Sequence, residues 1–215
     1  MERWVDGIVV RTFDHKHAVA LGRNSRVPVI NALTDLYHPC QILADLFTIE
    51  EHRGSLDGLR VAYVGDGNNI VHSWINAAGL LGFEFRCASP KGYEPAKKLV
   101  DAANRRGGKV TVHEDPFEAV KDVEAIYTDV WASMGQEDEA EARKKIFAPY
   151  QLNPKLLRAA RKGAYVMHCQ PAHRGEEITA DLIDAKTSLI FDEAENRLHA
   201  QKAVLEILLT ASKPR

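Results

Sequence analysis

The sequence predicts an α/β protein, a parallel sheet flanked by helices on both faces. Short runs rich in β-branched and aromatic residues alternate with stretches of helical periodicity. The spacing leaves room for a crossover helix between successive strands, which parallel pairing requires. No repeat, low-complexity tract or long linker interrupts the alternation. With 215 residues, 45% of them hydrophobic and 27% charged, the chain can bury one large or two small cores.

The elements follow in order. VDGIVVRT (5–12) reads as a strand, followed by a helix from Asp14 towards Gly22 and the strand VPVINAL (27–33). In HPCQILADLFTIEEH (38–52), Pro39 suits a first helical position, and Ile42, Leu43, Leu46, Phe47 and Ile49 form an apolar stripe. Strand RVAYVGD (60–66) leads through GDGNN to a helix that stops at Gly82. FEFRCAS is a strand, and a helix is expected from Glu94-Pro95 to Gly107-Gly108. KVTVHE is a strand, and Asp115-Pro116 is a cap and first-turn pair. EAIYTDV (124–130) is a strand, WASMGQEDEAEARKK is partly helical, and AYVMHC (164–169) is a strand. SLIFD (188–192) is expected as a last short strand before a final amphipathic helix.

Several function classes are disfavoured. A formal charge of −2 and the lack of a basic stripe argue against nucleic acid as a partner. No apolar stretch approaches membrane-spanning length, and MERWVDGIVV lacks the pattern of a signal peptide. Cys40, Cys87 and Cys169 are odd in number and widely spaced, which predicts no disulfide framework and a reducing cytoplasm.

Ligands of parallel sheets bind beyond the carboxyl ends of the strands. The stretches to read are therefore Arg11, Gly65 to Asn69, Asp129 to Met134, and His168 to His173. Three common chemistries fit them poorly. His38 and Cys40 sit two apart on a helix and diverge, strand alternation is expected to separate His168 from Cys169, and no C-x-x-C is present, so no metal site is expected. Gly65-Asp66-Gly67 lacks the third glycine of a dinucleotide fingerprint, and no acid ends the following strand. Those glycines equally suit a tight turn. Cys169 as a nucleophile needs a partner base, and the alternative is a buried small hydrophobe.

Six motifs in one order are more specific: VDGIVVRTF, LTDLYHPCQILADL, YVGDGNNIVHSW, TDVWASMGQE, MHCQPAHRGEEIT and FDEAENRLHAQKA. Together they resemble the ornithine carbamoyltransferases, across essentially the whole chain. The resemblance implies attack of the δ-amine of L-ornithine on carbamoyl phosphate, giving L-citrulline and phosphate. It implies no cofactor and no metal. It places Arg11, His38, Gln41, Cys169, Gln170 and Arg197 on carbamoyl phosphate, and Asn69, Asp129, Ser133 and Met134 on ornithine. Cys169 and Asp129 are implied in proton acceptance, with His38 and Arg11 in the catalytic set. HCQP is then a binding loop whose carbonyls orient the carbamoyl nitrogen, and His168 is a structural histidine. The residue types suit the task, because an arginine fork and a helix start favour phosphate.

Two departures stand out. Gln170 replaces the family's usual leucine. The family's S-x-R-T-R phosphate loop does not occur in these 215 residues. The expected organisation is a remnant of the carbamoyl phosphate domain (1–36), an interdomain helix (37–54), a Rossmann-like ornithine domain (55–188), and a strand and helix (189–215) returning towards the first part. The family forms homotrimers, and most of that surface is expected to be missing, leaving the last helix with an apolar face open. Two readings follow: a carbamoyltransferase impaired by what is absent, or a non-catalytic amino-acid-binding or interaction protein.

Overall fold

The computed structural model describes residues 2–132 and 137–211. Strands β1 (Ile8–Arg11) and β2 (Val29–Leu33) pair in parallel, joined by helix α1 (His15–Asn24). The Asp14 carboxylate caps α1 by accepting from the Lys16 N–H at 2.8 Å. Helix α2 (Pro39–Arg53) starts from His38, with Pro39 in its first turn, and stops at Gly54 with φ +87°.

The main sheet begins with β3 (Arg60–Val64), helix α3 (Asn69–Leu81) and β4 (Glu84–Ala88). Helix α4 (Lys97–Arg105), β5 (Lys109–His113) and helix α5 (Pro116–Val120) follow, with Asp115 capping α5. Then come β6 (Ala125–Thr128), helices α6 (Ala140–Phe147) and α7 (Pro154–Leu157), β7 (Tyr165–His168), and helices α8 (Ala180–Ile183) and α9 (Ile190–Ala211). All pairings are parallel and the order is β5-β4-β3-β6-β7.

Alternation along each strand fills two cores. On β3, Val61 and Tyr63 face a cluster with Trp74, Ile75 and Ile49, while Ala62 and Val64 face one with Val120, Leu152 and Ile178. Strands buried on both faces lose the apolar–polar alternation, which is why RVAYV reads as one apolar run. Each large side chain buried this way contributes about 1.5–3 kcal/mol relative to exposure. Helix α9 lies along α2, tied by Asn196 Nδ2 to Thr48 Oγ1 at 3.0 Å and to Glu51 at 2.6 Å. Along α9, Leu198 and Ile207 are left exposed.

Two expectations are corrected here. SLIFD is not a strand: Ser188 makes a single bridge to Val166, and α9 starts at Ile190. Asp192 and Glu193 in its first turn favour a helix N-terminus. Helix α4 begins at Lys97 rather than at Glu94-Pro95, because the backbone of 93–95 packs against Gly67. A Cβ on Gly67 would stand 2.3 Å from the Pro95 nitrogen, so this glycine allows a close approach of two loops. The short helices α7 and α8 lie in segments that the periodicity does not mark.

Candidate functional site

The sheet reverses its winding at β3, with β4 on one side and β6 on the other. Crevices form at such switch points. A cleft of about 1270 Å³ opens there, and it is lined by Arg11, His38, Gln41, Asn69, Asp129, Cys169, Gln170 and Arg197. Every proposed site residue within the described region therefore meets in one place. Ser133 and Met134 lie outside the described residues.

The side bordered by the main sheet is tightly held. Asn68 caps α3, its Oδ1 accepting from the N–H groups of Ile70 and Val71 at 3.0 and 3.3 Å. The same amide donates from Nδ2 to Asp129 Oδ2 at 2.7 Å. Asp129 Oδ1 accepts from the Val130 N–H at 2.8 Å and from the Cys169 thiol at 3.1 Å. Burial first, and then the charge of Asp129, push the Cys169 thiol well above its usual range. Cys169 is thus a protonated donor here. Asn69 Nδ2 donates to the Thr34 carbonyl at 2.8 Å, linking α3 to the segment after β2.

The other side carries the cations. His38 is buried, its backbone N–H donates to Ser73 Oγ at 2.7 Å, and its ring Nδ1 has no hydrogen-bond partner. Burial, then Arg197 and Arg11, lower its pKa to about 3, so the ring is neutral at physiological pH. Gln41, one turn on, shares its face of α2, and its Oε1 accepts from Arg197 Nη1. With the Gln201 amide turned to present its oxygen, Arg197 Nε and Nη2 donate to it at 2.6 and 2.8 Å. Arg11 is exposed at the end of β1. A further arginine, Arg143, lines the cleft but is neutralised by Asp66 at 3.1 Å and stacked over Tyr93.

The HCQP turn behaves differently from an extended strand. Strand β7 ends at His168, and Gln170 takes φ +56°. Alternation therefore does not separate the neighbouring side chains: ligand atoms of Asp129, His168 and Cys169 come within 4.8 Å. These atoms are already engaged with protein. His168 is fully buried, its Nδ1 accepting from the Gln170 N–H at 2.9 Å and its Nε2 facing Glu177 at 3.1 Å. That Nδ1 acceptor role assigns the proton to Nε2. Gln170 itself is exposed, so water can satisfy its amide.

The sequence marks Asn68 and Asn69 as able to hydrogen-bond a small polar ligand, but not the role of Asn68 in orienting Asp129, nor the buried acids Asp45 and Glu193 behind Gln41. The double asparagine after GDG was the available signal for the first.

Comparison with known sequences decides the lineage. Residues 57–208 match the family model "Aspartate/ornithine carbamoyltransferase, Asp/Orn binding domain", and residues 1–51 match the "carbamoyl-P binding domain" of the same family. The chain belongs to the aspartate/ornithine carbamoyltransferase family. It is 54% identical to an ornithine carbamoyltransferase of Syntrophus aciditrophicus, covering 97% of this chain and 70% of that one. Among solved structures it resembles ornithine carbamoyltransferase from Pyrococcus furiosus, with a TM-score of 0.93 and 51% identity over 99% of this chain and 69% of that chain. The more distant ornithine transcarbamoylase of Giardia lamblia, at 33% identity, still gives a TM-score of 0.90, covering 99% of this chain and 73% of that chain. The family's fold therefore persists where two thirds of the residues differ. Among the described residues no helix is long and apolar enough to cross a membrane.

Proposed function

We propose that this cleft carries the carbamoyl group from carbamoyl phosphate to the δ-amine of L-ornithine, giving L-citrulline and phosphate in the cytoplasm. The amine nitrogen forms a bond to the carbonyl carbon, the bond from that carbon to the phosphate oxygen breaks, and the amine loses a proton. Arg11 and Arg197 face the phosphate, and neutral His38 donates one ring N–H to the carbonyl oxygen as negative charge develops there. Gln41 fixes Arg197 and borders the same end. Asn69, Asp129, Ser133 and Met134 serve ornithine. The peptide groups of Cys169 and Gln170 hold the carbamoyl nitrogen.

Proton acceptance falls to Asp129 and Cys169 together. A protonated thiol cannot take a proton, so the carboxylate of Asp129 is the accepting group, and the thiol steadies it at 3.1 Å. Asn68 and the Val130 N–H keep that carboxylate in place before substrate arrives. The observation that carries the reading is the convergence of cationic and carboxylate groups on one crevice between β3 and β6.

A second reading, an amino-acid-binding protein without turnover, draws on the ornithine end being tightly held, with Asp129 fixed by Asn68, the Val130 N–H and the Cys169 thiol. In a radiolabelled carbamoyl phosphate assay the purified chain is expected to form citrulline, and Asp129→Asn to abolish that signal. Binding of ornithine with no citrulline at all would favour the second reading. Turnover unaffected by Asp129→Asn would contradict the first.

A further inference from the structure

Behind the cation side of the cleft sits a pair of carboxyl groups that the reaction does not touch. Asp45 is 0% exposed and Glu193 is 1% exposed. No lysine or arginine forms an ion pair with either one among the described residues. Two adjacent buried carboxylates without a counter-ion repel each other and lose their hydration, so both cannot be ionised.

The donors divide unequally between them. Glu193 Oε1 accepts from the Tyr127 hydroxyl at 2.9 Å and from Gln41 Nε2 at 3.0 Å. Glu193 Oε2 accepts from the His168 N–H at 3.1 Å. Asp45 Oδ1 accepts from Gln41 Nε2 at 2.8 Å, Asp45 Oδ2 has no donor, and the Tyr127 hydroxyl that bonds Glu193 also lies close enough to favour the charged form of Asp45. Three donors stabilise an anion at Glu193, while the open oxygen of Asp45 is where a proton belongs. Burial, and then the neighbouring Glu193, push Asp45 well above the carboxylate range. Glu193 is raised by burial, and its hydrogen bonds pull the other way.

We propose that Asp45 and Glu193 share one proton and act as a positioning pair for the acyl-phosphate end of the cleft. Both Nε2 hydrogens of Gln41 are consumed by the two acids, one each, so the amide cannot turn over. Its Oε1 must then face the cleft, where it accepts from Arg197 Nη1. The single buried charge thus orients Gln41 and, through it, the guanidinium that meets phosphate. The Glu193 contact to the His168 N–H extends the same control to the residue preceding Cys169. Helix α9 carries Glu193 and Arg197 one turn apart, so one helix supplies both the hidden anion and the cation it helps aim. This inference rests on the reading of the Arg197 side as the phosphate side.

The test uses the full 215-residue chain with two near-isosteric variants. Asp45→Asn imitates the protonated acid, since its amide can still accept from Gln41 and donate to Glu193. Glu193→Gln places an NH₂ among donors. Infrared spectra at neutral pH are expected to show a protonated carboxylic carbonyl band that Asp45→Asn removes. Calorimetry with the bisubstrate phosphonate N-phosphonacetyl-L-ornithine is expected to show Glu193→Gln weakening binding about tenfold more than Asp45→Asn. Should Glu193→Gln fail to fold, Tyr127→Phe removes one donor from the anion and is expected to weaken binding severalfold. A wild-type spectrum without the band overturns the shared proton. Equal losses in both variants, or no loss with Tyr127→Phe, overturn the positioning role. If the wild type binds no phosphonate, the positioning role falls with the proposed function, while the infrared band still decides the shared proton.

Discussion

The two ends of the cleft are organised to different degrees. At the end between β3 and β6, Asp129 already receives Asn68, the Val130 N–H and the Cys169 thiol, and the sheet beneath is covered on both faces. At the other end Arg11 is exposed, on a two-stranded sheet whose Val9 is 63% exposed, with Phe13 just beyond the strand at 59%. Between them stands Arg197, aimed by Gln41 and the buried acids. A group held before the ligand arrives loses little entropy on binding, whereas an exposed long side chain loses about 0.5–1.5 kcal/mol when it is immobilised. The ornithine end is therefore expected to supply specificity from these residues alone. The phosphate end is expected to contribute less.

The widest gap should separate Asp129→Asn from Arg11→Ala. The first removes the carboxylate charge at the organised end and is expected to weaken the bisubstrate phosphonate about a hundredfold, from roughly 2–3 kcal/mol of charge-assisted contact. The second removes an exposed, solvated charge and is expected to cost less than tenfold, with most of the loss gone at high salt. Calorimetry at two ionic strengths checks both. A larger effect from Arg11 would reverse the comparison.

A smaller effect sharpens the cation side. His38 is neutral when folded because its pKa falls to about 3, against 6.5 for the free side chain. Between these values the unfolded chain binds a proton that the folded chain does not, so stability drops as pH falls below 6.5. The slope from this one group is at most about 1.4 kcal/mol per pH unit, and it vanishes above 6.5. Urea unfolding of wild type and His38→Gln at pH 7 and pH 5 should show the difference between them shift by about 2 kcal/mol against the wild type. No shift would mean that the imidazole is solvated.

The smallest effect concerns Cys169. Its raised thiol is expected to react with iodoacetamide at neutral pH more slowly than a free thiol, and Asp129→Asn should speed the reaction by removing the nearby charge. Fast alkylation of the wild type would instead indicate a thiolate and restore the nucleophile reading.

Much of the frame was legible in the sequence, for local reasons. Asp14, Pro39, Gly82 and Asp115 mark helix ends through chemistry that acts within a few residues. Runs such as RVAYV and AIYT mark strands buried on both faces. The strand ends correctly nominate the cleft, because parallel topology dictates where ligands go. SLIFD misled because an apolar run that short suits either a strand or a helix start, and a single bridge from Ser188 to Val166 decides against a strand. The expected divergence of His168 and Cys169 failed because β7 ends between them. Asp45 and Glu193 were illegible as partners, since no local pattern announces that α9 folds back along α2. Their common link, Gln41, reaches Glu193 across 152 positions of sequence.

The most direct measurement is a calorimetric titration of the 215-residue chain with N-phosphonacetyl-L-ornithine, beside L-ornithine alone and phosphate alone. One site per chain is expected, with the phosphonate binding more tightly than either part and about a hundredfold more weakly to Asp129→Asn. Heat no greater than for phosphate alone, or equal binding by Asp129→Asn, would contradict it.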